Sequence, residues 1–371
     1  MKITYFFLYG RIERISETDQ FANEMFYGYN ILKEKYPDTE IIQFHEKNTI
    51  SVKMFKFIDR VINKITSLPV YMGHSLSYSN AKKIYNSDYL IMANDRIAVS
   101  IVPILILMKL INPNLNSTFF VMGLFNNKIK NRYRLFIRNL YLKLLFLCTK
   151  NIIFLGEGEF DQAKNLYKKN NKKFTLLPFM VDTKFWRSSE IDNKDKKDGI
   201  LFVGNDGNRD FDKVISLAKH FKDIEFTLVT KHFKKVDIKL PNINLVRGSW
   251  GNQALSDTEL KELYLNAKLV ILPIKRTIQP SGQSVTLQSM SASTPVMITE
   301  FPGFWDKKNF KNNDNIIFVA DNSIQSWIER IEESYFNDKK LEEIAKNAEK
   351  LMMSEYKIEH FVNKLEKILK I

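Results

Sequence analysis

The sequence predicts an α/β protein made of two consecutive doubly wound domains, each a parallel sheet covered by helices. Short apolar runs alternate with longer amphipathic stretches along most of the chain, which is typical of parallel sheets wrapped by helices. The polar segment 188–198, SSEIDNKDKKD, lacks periodicity and interrupts the alternation. A length of 371 residues fits two domains of ordinary size.

Each half is predicted to carry six strands. They cover residues 3–9, 39–44, 89–93, 118–122, 152–155 and 174–177, and then 200–203, 225–230, 244–247, 269–273, 296–299 and 316–319. A helix is predicted over 19–35 behind a cap at Thr18, and two or three helices over 323–371. The predicted domains are 1–187 and 199–350, joined by the linker 188–198. A C-terminal helix in 351–371 is expected to pack back toward the first domain.

The basic residues are concentrated in the first half of the chain. Of 56 Lys and Arg and 42 Asp and Glu, residues 1–187 hold 28 and 15, so that half carries a net charge of +13 out of +14. No acid occurs between Asp95 and Glu157, where nine bases fall. A field of one sign on one domain indicates an anionic partner. A general excess of Lys explains the total charge but not its asymmetry.

Composition excludes several classes of protein. One cysteine, Cys148, rules out a disulfide framework and favours a reducing, cytoplasmic compartment. The longest apolar stretch, residues 97–108, is too short to span a bilayer. Five scattered histidines show no ligand spacing, so we expect no metal. Because the chain also lacks nucleic-acid-binding motifs, we expect no nucleic acid as a partner.

An amphipathic basic helix is predicted over 128–150. At 100° per residue, Ile129, Tyr133, Phe136, Ile137, Leu140, Leu144 and Leu147 form one apolar stripe, expected to pack on the sheet. The bases flanking it are Lys128, Lys130, Arg132, Arg134, Arg138 and Lys143. A second basic face is predicted on the segment 53–65. Such helices suit an anionic membrane surface, although the bases could also simply face water.

Two motifs in the second half indicate an anion-binding site. In ILFVGNDGNRDF a buried strand ends at Gly204 and a helix begins near Arg209, where backbone amides and a guanidinium could grip phosphate. In QPSGQSVTLQSMSASTPVMIT, a helix begins near Ser281 and Gly282, and its dipole favours a negative ligand. Both motifs follow strands, at the edge where open α/β sheets bind ligands.

These segments resemble the GT-B glycosyltransferases, specifically the large retaining family 4 (glycosyl transferases group 1). The likeness also includes IIFLGEGEFDQ…FTLLPFMVDTKFW and NLVRGSW…SDTELKELYLNAKLVILPI, in the family's order and spacing. It implies two Rossmann-like domains facing each other across a cleft, which binds a nucleotide-diphosphate sugar as co-substrate without a metal. It also implies retention of configuration and a lipid-linked or polysaccharide acceptor.

The resemblance carries over to individual residues. Arg209 corresponds to the base that holds the donor diphosphate, and Gln288 to a glutamate that bonds the ribose. The implied donor-binding set is Gly10, Gly204, Asn205, Arg209, Ser249, Trp250, Ser281, Gly282, Gln283, Ser284 and Gln288. The residues that we expect to take part in catalysis are Arg209, Gln283 and Asp95.

Two departures from the family pattern leave alternatives open. Pro280 stands where the first glutamate of the family's E-x7-E pair is expected, and no histidine follows the fourth strand near Met122 and Gly123. Gln279, Gln283, Glu157 or Asp95 could replace these groups. The predicted function is a glycosyltransferase peripherally bound to the inner face of the cell membrane. The alternatives are a non-catalytic glycosyltransferase-like scaffold and a nucleotide-sugar epimerase of the same fold.

Overall fold

The structure, a computed structural model, describes residues 1–15, 20–44, 50–126, 129–187, 197–233, 240–247 and 255–371. The chain divides into two compact units. Unit 1 comprises Met1–Ser16, Phe26–Pro178 and Val362–Ile371, and unit 2 comprises Glu17–Met25 and Phe179–Phe361. Most of the predicted linker, residues 188–196, lies outside the described residues.

Unit 1 is built on a six-stranded parallel sheet. Its strands are β1 (Ile3–Phe7), β2 (Glu40–Gln43), β3 (Tyr89–Met92), β4 (Asn116–Val121), β5 (Asn151–Phe154) and β6 (Phe174–Leu176). They pair in the spatial order β2-β1-β3-β4-β5-β6. β1 and β4 are buried along their whole length, as expected for parallel strands covered on both faces by helices.

The helices of unit 1 connect these strands. They are α1 (Arg11–Ile15), α2 (Tyr29–Lys35), α3 (Ile50–Thr66), α4 (Met72–Ser75), α5 (Tyr78–Tyr85), α6 (Asp95–Ser100), α7 (Val102–Ile111), α8 (Arg132–Cys148) and α9 (Glu157–Leu166), with a 3-10 helix at Lys168–Lys173. α8 packs against both α3 and α7. This three-helix group carries much of the basic segment identified in the sequence.

Unit 2 has a second six-stranded parallel sheet. Its strands are β7 (Asp198–Val203), β8 (Phe226–Val229), β9 (Ile243–Val246), β10 (Ala267–Leu272), β11 (Val296–Thr299) and β12 (Ile317–Val319). They pair in the spatial order β12-β11-β10-β7-β8-β9. The helices are α10 (Thr183–Trp186), α11 (Phe211–His220), α12 (Asp257–Asn266), α13 (Gln283–Ser291), α14 (Ile324–Tyr335) and α15 (Asp338–Glu355). The last helix, α16 (Ile358–Leu369), begins in unit 2, and its residues from Val362 onward belong to unit 1.

All twelve predicted strands are present, because each is a short apolar run closed by a turn or a helix start. The region 323–371 forms the three helices α14, α15 and α16. The two units, each a parallel sheet with flanking helices, confirm the predicted α/β fold class.

The predicted helix over 19–35 is wrong in its extent. Residues Asn23–Phe26 form a 3-10 helix, and α2 begins only at Tyr29. Tyr27 and Gly28 have φ angles of 52° and 80°, a left-handed conformation that cannot continue an α-helix. A Cβ on Gly28 would lie 2.5 Å from Val362 Cγ2, so close packing as well as conformation requires glycine here. Thr18 and Asp19 lie outside the described residues.

Candidate donor-binding site

Two loops meet at the carboxyl end of the unit 2 sheet. The loop after β7 and the loop after β10 are joined by a backbone bridge between Arg209 and Ile274. Asn208 adds a side-chain link, since its Nδ2 donates to Ser281 Oγ at 2.7 Å and to Gln279 Oε1 at 3.1 Å. The two motifs found in the sequence therefore form one site, at the strand edge where open α/β sheets bind ligands.

The helix α13 points its N-terminus into this site. Gly282 precedes it with φ of +89° and supplies no side-chain cap, so the first-turn N–H groups receive no acceptor from the N-cap residue. Ser281 and Gln283 are buried beside it, and Ser284 is partly exposed. The helix dipole places partial positive charge at this point, which favours a negative ligand.

Arg209 supplies a full positive charge in the same place. It is 3% exposed, and neither Nε nor Nη1 has a hydrogen-bond acceptor among the described residues. Nη1 lies 3.3 Å from Asp206 Oδ2, an ion-pair distance without hydrogen-bond geometry. Burial lowers the pKa of Arg209, and the charge of Asp206 opposes this shift. A Cβ added to Gly282 would lie 3.3 Å from Nη1, which places the guanidinium at the start of α13.

Gly204 is required by the position of Arg209. A Cβ at residue 204 would lie 2.3 Å from Arg209 Nε, far inside the contact distance of two atoms. By contrast, a Cβ at Gly207 would meet no atom within 4 Å. The first glycine of the loop therefore makes room for the guanidinium. A buried cation with two unsatisfied N–H groups at a helix N-terminus offers donors that suit a diphosphate or similar anion.

Asn205 stands beside the site but has a bonding role within the unit. Its Oδ1 accepts hydrogen bonds from Thr230 Oγ1 at 3.1 Å and from the Lys231 N–H at 2.7 Å. These bonds tie the loop after β7 to the loop after β8. Its assignment as a donor-binding residue stays a prediction.

Gln288, predicted to bond ribose, lies in a buried network. Its Nε2 donates to Glu24 Oε1 at 2.9 Å, and its Oε1 accepts from Tyr264 OH at 3.2 Å. Glu24 also accepts from Trp186 Nε1 at 2.9 Å and from the Asp182 N–H at 3.2 Å. Burial raises the pKa of Glu24 to about 7. The network connects α13 to residues far away in sequence, so nothing local in the sequence indicated Glu24. Asn208 lies within the polar turn after β7, but its hydrogen bonds to the loop after β10 depend on the tertiary fold and have no local signal in the sequence.

Unit 1 places buried carboxyl groups at the carboxyl end of its own sheet. Asp95, at the start of α6, accepts from the Met122 N–H at 3.4 Å, and burial raises its pKa to about 6. Glu159, in the first turn of α9, accepts from the N–H groups of Gly123 at 2.8 Å and Phe125 at 2.9 Å. Burial raises its pKa to about 8. The predicted residue Gly10 also belongs to unit 1, with φ of +78° and open space at its Cβ position.

The inner and outer faces of α8 are reversed relative to the prediction. Leu142, Leu145 and Phe146 are buried, whereas Tyr133 and Phe136 of the predicted inward stripe are 70% and 66% exposed. The sequence contains two apolar faces, and the one that packs also includes a buried, hydrogen-bonded arginine. The predicted packing of the stripe is therefore wrong, and its aromatic residues face outward.

Arg138 is that buried arginine. Its guanidinium donates to the backbone carbonyls of Leu124, Thr66 and Ser67, so it contributes no exposed charge. Arg134 is partly buried and donates to Ser67 Oγ at 2.8 Å. Lys130, Arg132 and Lys143 are exposed, as predicted for a basic face.

Some predicted site residues lie outside the described residues. They are Ser249 and Trp250, assigned to the nucleobase loop, and Lys128 at the start of the basic segment. Within the described ranges, no group of three His, Cys, Asp or Glu side chains could hold a metal ion. Nor does any helix in those ranges combine the length and apolarity needed to cross a membrane.

Residues 251–351 match the family model for Glycosyl transferases group 1. This segment contains α13 and the loop after β10. A comparison of the sequence with curated proteins finds no match. This family match confirms the predicted class of enzyme, a glycosyltransferase.

Several solved structures are similar over most or all of the chain. HepE of Anabaena, crystallised with UDP and glucose, has a TM-score of 0.67 and 11% identity, covering 100% of this chain and 99% of that one. Sucrose-phosphate synthase from Thermosynechococcus elongatus also has a TM-score of 0.67, with 10% identity over 100% and 98% of the two chains. TarM of S. aureus, in a mutant complex with fondaparinux, α-GlcNAc-glycerol and UDP, has a TM-score of 0.60 and 14% identity, covering 79% of this chain and 59% of that one. The fold of this protein is GT-B.

Proposed function

We propose that this protein transfers a sugar from a nucleotide-diphosphate donor to a lipid-linked or surface-glycan acceptor, with retention of configuration and without a metal. The observation that carries the proposal is the buried guanidinium of Arg209 beside the N-terminus of α13. Its unsatisfied Nε and Nη1 suit the diphosphate of such a donor. HepE and TarM, which are similar in fold, were each crystallised with UDP.

The chemistry follows from where charge develops. When the bond between the sugar and the diphosphate breaks, negative charge grows on the leaving oxygen. A preorganised cation and helix amides stabilise that charge more than they stabilise the bound donor. Arg209 is already fixed by burial and by Gly204, so no reorganisation is needed at the moment of reaction. Positioning of the acceptor supplies the rest.

Donor binding tests this proposal. Wild-type protein is expected to bind UDP in a calorimetric titration. Arg209→Ala is expected to raise the Kd by roughly 100-fold, because about two charge-assisted hydrogen bonds are lost. The matched control is Lys219→Ala, an exposed base at the other end of α11. Failure of wild-type protein to bind any common nucleoside diphosphate contradicts the proposal, and equal affinity in Arg209→Ala removes the site assignment.

Incubation with donor alone separates the enzymatic alternatives. A transferase requires an acceptor for rapid turnover, whereas an epimerase converts the donor sugar without one. A scaffold protein turns over no donor under either condition. We expect turnover only when an acceptor is present. Chromatography of the nucleotide products measures it.

We also propose that unit 1 binds the inner face of the membrane through its helices. α3, α7 and α8 each carry exposed apolar residues, here called together the apolar helix face, and α8 packs against the other two helices. Its members are Met54, Phe57, Ile58, Val61, Ile106, Leu107, Leu110, Ile111, Tyr133, Leu135, Phe136, Leu140, Leu144 and Leu147. Exposed apolar residues grouped on helices that pack together favour an interaction site.

Charge next to this face selects a membrane as the partner. Lys53, Lys56, Arg60 and Lys64 on α3 are exposed, as are Arg132 and Lys143 on α8. Each base near an anionic surface contributes about 1 kcal/mol. Exposed apolar side chains can insert between lipid headgroups while bases on the same helices contact the anionic surface. This combination suits an anionic bilayer better than a neutral protein partner.

Flotation with vesicles tests membrane binding. Wild-type protein is expected to float with vesicles of phosphatidylglycerol and phosphatidylcholine, less so at high salt because exposed charges are screened. The triple variant Phe57→Ser, Leu110→Ser, Phe136→Ser removes three of the most exposed members of the face and is expected to stay at the bottom. Phe336→Ser, an exposed phenylalanine of unit 2, is the control. Equal flotation of the triple variant contradicts the proposal.

A further inference from the structure

Unit 1 carries an aromatic group that the donor site does not use. Tyr9 follows β1, Phe44 follows β2, and His74 and Tyr71 lie on or next to α4; these four residues are here called the aromatic shelf. Ring centroids are 5.9 Å apart for Tyr9 and Phe44, 5.8 Å for Tyr9 and His74, and 6.4 Å for Tyr71 and His74. Two of these rings, Tyr9 and Tyr71, remain 36% and 39% exposed.

The shelf combines apolar ring surface with a polar pair. Tyr9 OH and His74 Nδ1 share a hydrogen bond of 2.5 Å, in which either group can donate, depending on the tautomer of the imidazole. Phe44 is buried beneath them and stacks on His74 at 6.5 Å. Ring faces with hydroxyl and imidazole groups at their edge can cover the C–H face of a sugar ring and bond its hydroxyls.

The segment that carries Tyr71 and His74 is held in place by α3. The buried carboxyl of Asp59 accepts from the N–H of Met72 at 2.9 Å and of Gly73 at 3.4 Å. One turn further along α3, Asn63 accepts from the Val70 N–H at 2.7 Å and donates to the Val70 carbonyl at 3.1 Å. The shelf is therefore fixed to the same helix that presents Met54 and Phe57 on the apolar helix face.

We propose that the aromatic shelf binds the sugar of a lipid-linked acceptor whose lipid part stays in the bilayer. The inference rests on the proposed function and commits to one of its two acceptor classes. α3 connects a surface suited to acyl chains with a surface suited to a pyranose ring, and a glycolipid has both parts in one molecule. Among the described residues, no atom lies within 4 Å of the Cβ position of Gly10, next to Tyr9.

Binding of glycolipids in vesicles tests the inference. Wild-type protein and variants are compared on vesicles of phosphatidylcholine with and without a panel of mono- and diglycosyl diacylglycerols, and UDP affinity is measured in parallel. For at least one glycolipid, wild-type binding is expected to exceed binding to plain vesicles. Tyr71→Ala and His74→Ala are expected to lose that excess by roughly tenfold. Tyr9→Phe keeps the ring and is expected to lose less.

The matched control is Tyr78→Ala, an 84% exposed tyrosine outside the shelf, which is expected to behave as wild type. UDP affinity is expected to be equal in all variants. If no glycolipid increases binding, or if the shelf variants keep the increase, the inference is overturned while UDP binding leaves the donor site intact. If wild-type protein does not bind UDP or another nucleoside diphosphate, the proposed function fails instead.

Discussion

The carboxyl ends of the two sheets hold buried charge of opposite kinds. In unit 2 the charge is Arg209, a guanidinium that stays protonated at any physiological pH. In unit 1 it is a pair of carboxyl groups, Asp95 and Glu159, with pKa values raised by burial to about 6 and about 8. A permanent cation suits the binding of a permanent anion, whereas the protonation of a titratable acid changes with pH and with nearby charges.

The two regions also differ in how their buried groups are satisfied. Glu159 accepts two backbone N–H groups of the loop after β4, and Arg138 donates to the Leu124 carbonyl of that loop and to the Thr66 and Ser67 carbonyls at the end of α3. Arg209 has two N–H positions without an acceptor among the described residues. Buried groups whose hydrogen bonds are all made hold the backbone in its conformation. A buried group with hydrogen bonds unmade can still bond a ligand. We expect this contrast to distinguish structural from ligand-binding charge in this protein.

Removing Glu24 is expected to have the largest effect on stability. Glu24→Ala leaves Trp186 Nε1, Gln288 Nε2 and the Asp182 N–H buried without their acceptor, which lowers the free energy of unfolding by about 2–4 kcal/mol. Urea denaturation measures it, with the exposed Glu34→Ala on α2 as the control. Glu24→Gln keeps an acceptor oxygen and should lose less. An unchanged midpoint in Glu24→Ala would show that this network does not support α13.

A second prediction concerns the pair of glycines in the loop after β7. Gly204→Ala places a Cβ against Arg209 Nε, displacing the guanidinium, and is expected to raise the Kd for UDP by roughly tenfold or more. Gly207→Ala meets no neighbour within 4 Å and is expected to change it little. Calorimetric titration of both variants measures the difference. Equal losses in the two would mean that loop flexibility, not the position of Arg209, governs binding.

A third prediction concerns the pH dependence of stability. Glu159 binds its proton more tightly in the folded state, because its pKa rises from 4.5 to about 8. Its contribution to stability is therefore present at low pH and is lost as the pH rises from about 5 to about 8. Glu159→Gln is expected to flatten this decline, because glutamine does not titrate. Thermal denaturation across that range measures it, with exposed Asp161→Asn as the control. Identical slopes would contradict the buried-acid assignment.

Local patterns predicted the strands well and the surfaces less well. Each strand is a short apolar run with its own turn signals, so its position needs no knowledge of the rest of the chain. The helix α8 has two apolar faces, and periodicity alone cannot say which one packs. Leu142, Leu145 and Phe146 pack because Arg138 on that side finds three carbonyls in other segments. Such long-range partners are absent from any local pattern.

The candidate site shows the same limit. Gly204, Arg209 and Gly282 were found from motifs, because glycine and arginine at a strand–helix junction have a local physical meaning. Glu24 and Gln288 are 264 positions apart, and their bond depends on the tertiary fold. The aromatic shelf likewise assembles Tyr9, Phe44 and His74 from three separate elements.

A crystal structure with bound UDP tests the central claim most directly. We expect the diphosphate to lie at the N-terminus of α13, within hydrogen-bond distance of Arg209 Nε or Nη1 and of the first-turn amides after Gly282. A diphosphate bound elsewhere, or one that Arg209 does not contact, would contradict the assignment of this site.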